Sequence, residues 1–455
     1  MVDIVLIPLA FAFLAAVVYT LVGLIPGTDE TSSLAPLTLV LVLLGVPAPA
    51  LLAWFIAAIT AMETTNTVPA AIAAIPGSTM AVPFVNYCGL MRKLGVPHVA
   101  MRKLLAGSVV GTLVAIPIAV GFGTLLAPFG EAIKGWAPVL FTAGAFLVAL
   151  LSRSRWAAVV SIFPVAFLIQ GFQAIAKNNL GHPVFISIFL GIAIGPMTID
   201  LLRLLSPATR QEMIKSEKGK LSLAPDLPIK GLFPNPFRIL TGRQACMAAI
   251  TSAISATTFT FSPVGMTVLL GEIVARRTKE LYHRLTNALS VMDGVTNATY
   301  IAETLIPLIA FGIPLSPMAL GPAAPLFNAP PRFSVEPVNN LHSVLSRADF
   351  LTYSLMGAFI GLLVSYPFCV RFARRACIFI FKHVSHEALI GCFLGLVVVL
   401  SYYEAGLLGI AIALSLAVLG GLLVRALRIH IGVLYMAFYA SSWIVSKTVG
   451  IGSLF

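Results

Sequence analysis

The sequence predicts an all-α, polytopic integral membrane protein of about 12 membrane segments, built as two inverted-topology repeats with broken helices or hairpins. Three observations carry that expectation. Of 455 residues, 59% are hydrophobic and only 10% charged, whereas a soluble chain carries about a quarter charged residues. Apolar runs long enough to cross a bilayer, about 20 residues each, recur from one end to the other. Helix-breaking prolines and glycines recur at one fixed displacement between the two halves. A mean hydropathy of +0.99 excludes an ordinary soluble enzyme. The short alternating segments of a β-barrel are absent.

In chain order, the first apolar run is Ile4–Ile25, ending at Pro26-Gly27. It begins beside Asp3 and has no basic n-region, so a removable signal peptide is not expected. Leu34–Met62 follows, interrupted at Gly45–Pro49, and then Glu63–Thr67 leads into a stretch broken at Pro69 and at Pro76-Gly77-Ser78. Spans are expected at Leu104–Phe129, Trp136–Leu151, Ala157–Phe172 and Val184–Leu202. The polar stretch 203–243 is the natural linker between an N-terminal half, 1–202, and a C-terminal half, 244–455. Apolar sequence resumes over Ala245–Ala275, broken at Ser262–Gly265. A basic segment, Arg276–Asn297, then precedes Ala298–Pro325, itself interrupted at Gly312-Ile313-Pro314. The last spans are expected near Leu351–Val370, Ala388–Tyr402, Leu407–Val424 and Ile431–Val445.

The formal charge of +12 does not point to nucleic acid, because the basic residues cluster in short loops beside spans. Such clusters mark the cytoplasmic side. Counting spans places Arg92, Lys93, Arg102, Lys103, Arg153, Arg155 and the 203–243 linker together there, with Pro330–Asp349 outside. The five cysteines are scattered without CxxC or Cys/His pairing, so neither a disulfide framework nor a zinc site is expected.

A displacement of 238 residues aligns Gly27 with Gly265, Pro69 with Pro307, Pro76 with Pro314 and Ser78 with Ser316; Met80 and Ala81 match Met318 and Ala319. The loop after the first copy is basic and the loop after the second is near neutral. That is the charge pattern of two copies inserted in opposite directions, a plan common in secondary transporters. Non-helical backbone at bilayer depth is tolerated where protein buries it or where it lines a watery cavity. Exposed N–H groups at such breaks suit an anion. Candidate substrate contacts are therefore Gly27, Thr28, Asn66, Thr67, Pro76, Gly77, Ser78, Gly265, Thr304, Pro314 and Ser316. The plain alternative is that each proline only kinks its helix.

Several of these segments resemble a known family. Gly23–Gly27 (GLIPG), Thr65–Met80 (TNTVPAAIAAIPGSTM), Leu305–Ser316 (LIPLIAFGIPLS), the basic loop Gly89–Gly107 and the short polar run Gly294–Ala298 are similar to segments of the large, TctA-type membrane subunit of tripartite tricarboxylate transporters. The resemblance implies uptake of small carboxylates, di- or tricarboxylates, coupled to H⁺ or Na⁺. It further implies a periplasmic solute-binding protein and a small four-helix membrane subunit as partners, and a multi-pass protein of the bacterial inner membrane. The chain departs from the pattern where Thr28-Asp29-Glu30 follows Pro26-Gly27, at Ala74-Ile75 before Pro76, and at Leu315. The acid-and-proline part of the second polar motif is missing between Val295 and Thr304.

Acids inside or beside apolar runs are costly and usually have a task. Glu63, Glu272 and Glu303 are so placed, and Asp29 and Glu30 follow the first break. Asp29, Glu30, Glu63 and Glu303 are the candidates for handling a coupling proton or Na⁺, with interfacial solvation the alternative for Asp29, Glu30 and Glu63. His383, His386 and Glu387 form no convincing metal site, because Arg371–Lys382 reads as an interfacial amphipathic segment. No HExxH, GxSxG or Walker-type segment is present, so an enzyme is not expected. No cofactor beyond a coupling ion is expected. Expected partners are a small organic anion, membrane lipid and the two subunits above, with a homodimer left open. The rival readings are a lipid-phosphate or other anion translocase of the same architecture, and an assembly subunit without flux of its own.

Overall fold

A computed structural model describes residues 2–26, 28, 30–73, 76–151, 154–205, 207, 235–261, 263–328, 340–383 and 386–452. Among these residues the chain is helical, with no strand. In order, the helices are α1 (Val2–Val22), α2 (Glu30–Leu43), α3 (Ala48–Ala73), a 3₁₀ turn at Thr79–Ala81, α4 (Val82–Lys93), α5 (Pro97–Leu126), a second 3₁₀ turn at Ala127–Phe129, α6 (Gly130–Gly135), α7 (Ala137–Leu151), α8 (Arg155–Leu180) and α9 (Ile186–Leu205). After the linker come α10 (Pro236–Ile239), α11 (Gly242–Thr257), α12 (Pro263–Arg276), α13 (Leu281–Ala310), α14 (Pro317–Leu320), α15 (Ala324–Asn328), α16 (Leu341–Val344), α17 (Arg347–His383), α18 (His386–Arg425) and α19 (Ile431–Gly452). Seven helices among the described residues have the length and apolar composition to cross a membrane.

The 238-residue displacement seen in the sequence persists in the folded chain. It lays α3 on α13, with Pro69 and Pro307 inside the two helices, and the turn Thr79–Ala81 on α14. The packing is reciprocal. The first long helix, α3, packs along α17, and its counterpart α13 packs along α5; α1 touches α17 just as α11 touches α5. Each copy thus lends the helix beyond its break to the long helix of the other.

Small residues permit those crossings. A Cβ on Gly107 or Gly111 of α5 would collide with the backbone of Ser290 or Gly294 on α13. On α17, Gly357 and Gly361 lie in the same way against Ala53 and Ala57 of α3. Both are glycine pairs four residues apart, the spacing that lets two membrane helices bring their backbones together.

The C-terminal expectation of two spans, Ala388–Tyr402 and Leu407–Val424, matches a sharp break inside α18, where Ala405 and Gly406 leave helical geometry. A Cβ on Gly409 would strike the Ser401 carbonyl. Those residues would be about 12 Å apart along a straight helix, so the chain folds back there. The segment 407–425 then runs beside α9, with Gly191 against Ala413, Gly195 against Gly421, and an Asp200–Arg425 ion pair at the end. Glu404, just before the reversal, accepts from the amides of Phe185, Ile186 and Ser187 at 2.6–2.7 Å and from the Ser187 hydroxyl at 2.6 Å.

The basic segment Arg276–Asn297 is largely helical: α13 starts at Leu281, and from Thr286 onward all but Asn287 are buried. Hydropathy reads a polar stretch as solvent-facing, but the neighbouring helices bury this one and supply Thr296 and Asn297 with partners inside the protein.

Candidate functional site

The first break follows α3. The helix α3 ends at Ala73, and Ser78, in extended geometry, caps the turn Thr79–Ala81. Its Oγ accepts from the Met80 amide at 3.1 Å and from Asn66 Nδ2 at 2.9 Å. The same Asn66 nitrogen donates to Glu63 Oε2 at 3.0 Å. One amide therefore joins the acid of α3 to the cap of the break. Gly77 lies against the Asn66 backbone so closely that any Cβ would overlap the Asn66 carbonyl.

The second break repeats the design with different chemistry. Ser316, also extended, caps α14 by accepting from the Ala319 amide at 3.1 Å. Its hydroxyl donates to the Glu303 main-chain carbonyl. Glu303 Oε2 accepts from the Met318 amide at 3.2 Å, so here the carboxylate itself reaches across the break. Gly312 supplies the left-handed turn, with φ of +64°. Asn340 donates to its carbonyl at 2.5 Å, and His342 covers it.

Between the breaks lies a polar core made by three helices. Ser108 of α5 stands between Thr64 of α3, at 3.0 Å, and Asn297 Nδ2 of α13, at 2.5 Å. Thr112 holds the same Asn297 nitrogen at 3.2 Å. Glu30, at the start of α2, is within hydrogen-bond reach of Glu63, and Asp293 of α13 also acts electrostatically on it. All three acids are buried. A narrow void, too tight for a water-sized sphere, is lined by Ile59, Thr60 and Glu63 from α3 and by Asn297, Tyr300 and Ile301 from α13. Under the 238-residue displacement Ile59 corresponds to Asn297 and Glu63 to Ile301. The void therefore sits where the two copies meet.

The expected site residues distribute unevenly over this framework. Gly27 and Asp29 lie outside the described residues. Thr28 is buried, and its hydroxyl donates to the Ile25 carbonyl at 3.0 Å. Thr67 and Thr304 are buried and bond to main-chain carbonyls of their own helices. Pro76 is half-buried and Pro314 buried, each beside its capping serine. Gly265 stands apart, exposed in the first turn of α12, because the interruption falls earlier, between Thr257 and Pro263. Glu30 and Glu63 come together, while Glu303 belongs to the second break. Cross-copy contacts do join the regions: α12 meets the turn Thr79–Ala81, and Thr31 lies beside Gly321.

Sequence reasoning missed Asp293, Asn297, Thr60 and Ser108. Both carboxylate oxygens of Asp293 are buried without a hydrogen-bond partner among the described residues. A signal was present: Thr286, Ser290, Asp293 and Asn297 recur at spacings of four, three and four, one face of a helix.

Long apolar helices that pack reciprocally around buried acids, with a capped break after each of two long helices, define a membrane transport protein. The family model of the tripartite tricarboxylate transporter TctA family matches residues 9–434. The chain belongs to that family. It is thus a membrane component of a tricarboxylate transporter, a transporter subunit rather than an enzyme, in a system that also has a binding protein and a small subunit. Comparisons with curated proteins and with solved structures gave no match.

Proposed function

We propose that the chain is the permease of a secondary uptake system for small organic anions, di- or tricarboxylates, driven by H⁺ or Na⁺. It works in the bacterial inner membrane with a periplasmic solute-binding protein and a small four-helix subunit. Its halves, 1–202 and 244–455, are inverted copies joined by a cytoplasmic linker. The observation that carries the reading is the pair of capped breaks. Ser78 and Ser316 stand in register and cap equivalent turns beyond equivalent proline-containing helices. Reciprocal packing of α3 on α17 and of α13 on α5 supports a two-fold relation between the copies.

In this reading the substrate is held between the breaks by Thr28, Asn66, Thr67 and Ser78 on one side and by Thr304 and Ser316 on the other. The breaks at Pro76-Gly77 and Pro314 shape the space, with Gly27 a further candidate contact. Gly265, exposed in α12, is the weakest member of that set. Both serines are engaged with main-chain amides of their own turns. Parting of the breaks frees those hydroxyls for a carboxylate, which is prohibitively costly to bury unpaired. Asp29, Glu30, Glu63 and Glu303 are the groups that handle the coupling ion.

Reconstitution with both partner subunits in liposomes tests the function. Labelled citrate and other di- and tricarboxylates are offered under an imposed Na⁺ or pH gradient. Accumulation that collapses with the ion gradient supports the reading. A system that takes up no carboxylate under either gradient, with all subunits present and folded, overturns it.

A further inference from the structure

We propose that Asn66 also acts as a positioning residue that transmits the charge on Glu63 to the first break, gripping Ser78 while Glu63 is ionised and releasing it when Glu63 is neutralised. The proposal rests on the reading of Glu63 as a group that handles the coupling ion, but its test needs no uptake.

The connection runs through one nitrogen. Asn66 Nδ2 donates to Glu63 Oε2 at 3.0 Å and to Ser78 Oγ at 2.9 Å. A side-chain amide nitrogen has two hydrogens, so both are used. Asn66 Oδ1 is buried without a hydrogen-bond partner among the described residues. The two donated bonds are thus the hydrogen bonds that set how the amide is turned. The break rests on the same residue a second time, because Gly77 lies so close that a Cβ would meet the Asn66 carbonyl. A shift of Asn66 therefore carries to Ser78 and to the turn Thr79–Ala81, which Ser78 caps through the Met80 amide.

Glu63 is placed to change the strength of that hold. Glu30 from α2 and Asp293 from α13 act on it, and both are buried acids. Tyr300 of α13 lines the narrow void beside it. The other helices packed on α3 bring their titratable groups to other partners. Tyr19 of α1 gives its phenol to the Ser33 carbonyl. Cys88 of α4 and Cys369 of α17 lie within electrostatic reach of Asp293. On α5, Lys103 is bonded to Ile239 and Gln244, and Arg102 acts on His98 and Tyr366. Two carboxyls in hydrogen-bond contact, as Glu30 and Glu63 are, cannot both stay ionised. Discharging Glu63 weakens its bond to Asn66, because a hydrogen bond to a charged acceptor is about twice as strong as one to a neutral acceptor. Asn66 and the Ser78 hydroxyl are then released toward a carboxylate substrate.

The second copy has no such relay. The 238-residue displacement places Ile301 at the position of Glu63 and Thr304 at that of Asn66. Thr304 bonds to the Tyr300 carbonyl of its own helix, and Glu303 reaches the Met318 amide directly. The link between a distant acid and a capping serine is therefore particular to the first break.

The experiment is hydrogen–deuterium exchange on the purified full chain in lipid nanodiscs, with no substrate present, read over peptides that contain the Met80 amide or the Ala319 amide. At one pH, Glu63→Gln is expected to speed exchange at the first break about tenfold and to leave the second break unchanged. Asn66→Ala is expected to do the same. The double variant is expected to exchange no faster than either single one, because both cut one chain of contacts. In wild type, exchange at the first break, corrected for its intrinsic chemistry, is expected to rise as pH falls and Glu63 takes up a proton; in Asn66→Ala it is expected to stay flat. That comparison keeps the test open if Glu63→Gln does not fold. Additive acceleration in the double variant, equal acceleration of both breaks by Glu63→Gln, or the same pH profile in wild type and Asn66→Ala would each overturn the relay. A relay that holds while reconstituted uptake fails would keep the proposal and remove the transport reading instead.

Discussion

Ser78 and Ser316, 238 residues apart, perform the same act: each side-chain oxygen accepts a main-chain amide at 3.1 Å and starts the turn that follows a broken helix. Their second bonds differ. Ser78 is joined through Asn66 to the Glu63 carboxylate, whereas Ser316 donates to the main chain of Glu303. The scaffold is thus repeated while the chemistry around it is asymmetric.

The first break depends on close approach between Gly77 and Asn66. Gly77→Ala places a Cβ into the Asn66 carbonyl, so the break must shift. Overpacking of this kind costs about 1–3 kcal/mol. Thermal unfolding of the purified protein is expected to fall for Gly77→Ala and to stay unchanged for Gly89→Ala, where the added Cβ meets nothing within 4 Å. Equal stability of the two variants would contradict the packing.

The crossing of α5 and α13 gives a second comparison within one helix. Gly111→Ala drives a methyl into Gly294, while Gly121→Ala on the same helix points into open space. The expected outcome is lower folded yield and a lower unfolding temperature for Gly111→Ala only. A fall for both would indicate a general intolerance of alanine in α5.

Sidedness follows from the length of α5, which at 30 residues reaches about 45 Å. Its first turns carry Lys103, bonded to the Ile239 carbonyl and to Gln244 where the second copy begins. Its far end leads to Gly130, beside Ala310, and to Glu131, within electrostatic reach of His342. A cysteine at position 93 is therefore expected to resist an impermeant thiol reagent in intact cells, and one at Ser343 to react. Labelling at 93 with protection at 343 would reverse the orientation.

Much of this arrangement was legible in the sequence because hydropathy and helix breakers act locally. Pro69 and Pro307, and the serines beyond them, announce the repeat without any knowledge of packing. The start of α13 was not legible. Half of its Thr286–Asn297 stretch is polar, yet all but Asn287 is buried, because α5, α11 and α12 surround it and Ser108 and Thr112 engage Asn297. Glu63 itself was visible, since an acid among apolar residues stands out. Asn297 comes to line one void with Thr60 and Glu63 only when α3 meets α13. That contact spans more than 200 residues and leaves no local pattern.

Glu404 shows how an acid can be buried for structure alone. Its oxygens take four hydrogen bonds from residues 185–187, at the start of α9. Bonds to a charged acceptor are worth about 1.5–3 kcal/mol each. Glu404→Gln is expected to lower the unfolding temperature markedly. An unfolding temperature equal to wild type would contradict the structural role.

The central claim is that the two breaks hold the substrate, and Asn66 is where it is most exposed to test. This side chain is buried, joins Glu63 to Ser78, and keeps its Oδ1 without a partner among the described residues. The decisive measurement is the half-saturating citrate concentration for uptake by the reconstituted complex, comparing Asn66→Ala and Ser316→Ala with wild type on equal amounts of folded protein. Ser252→Ala is the control, because that buried hydroxyl has no hydrogen-bond partner among the described residues. Loss of one donor to a charged group costs about 1.5–3 kcal/mol, so the two break variants are expected to need about ten- to a hundredfold more citrate, and Ser252→Ala none. Wild-type half-saturation in both break variants would contradict the account and leave the prolines as simple kinks.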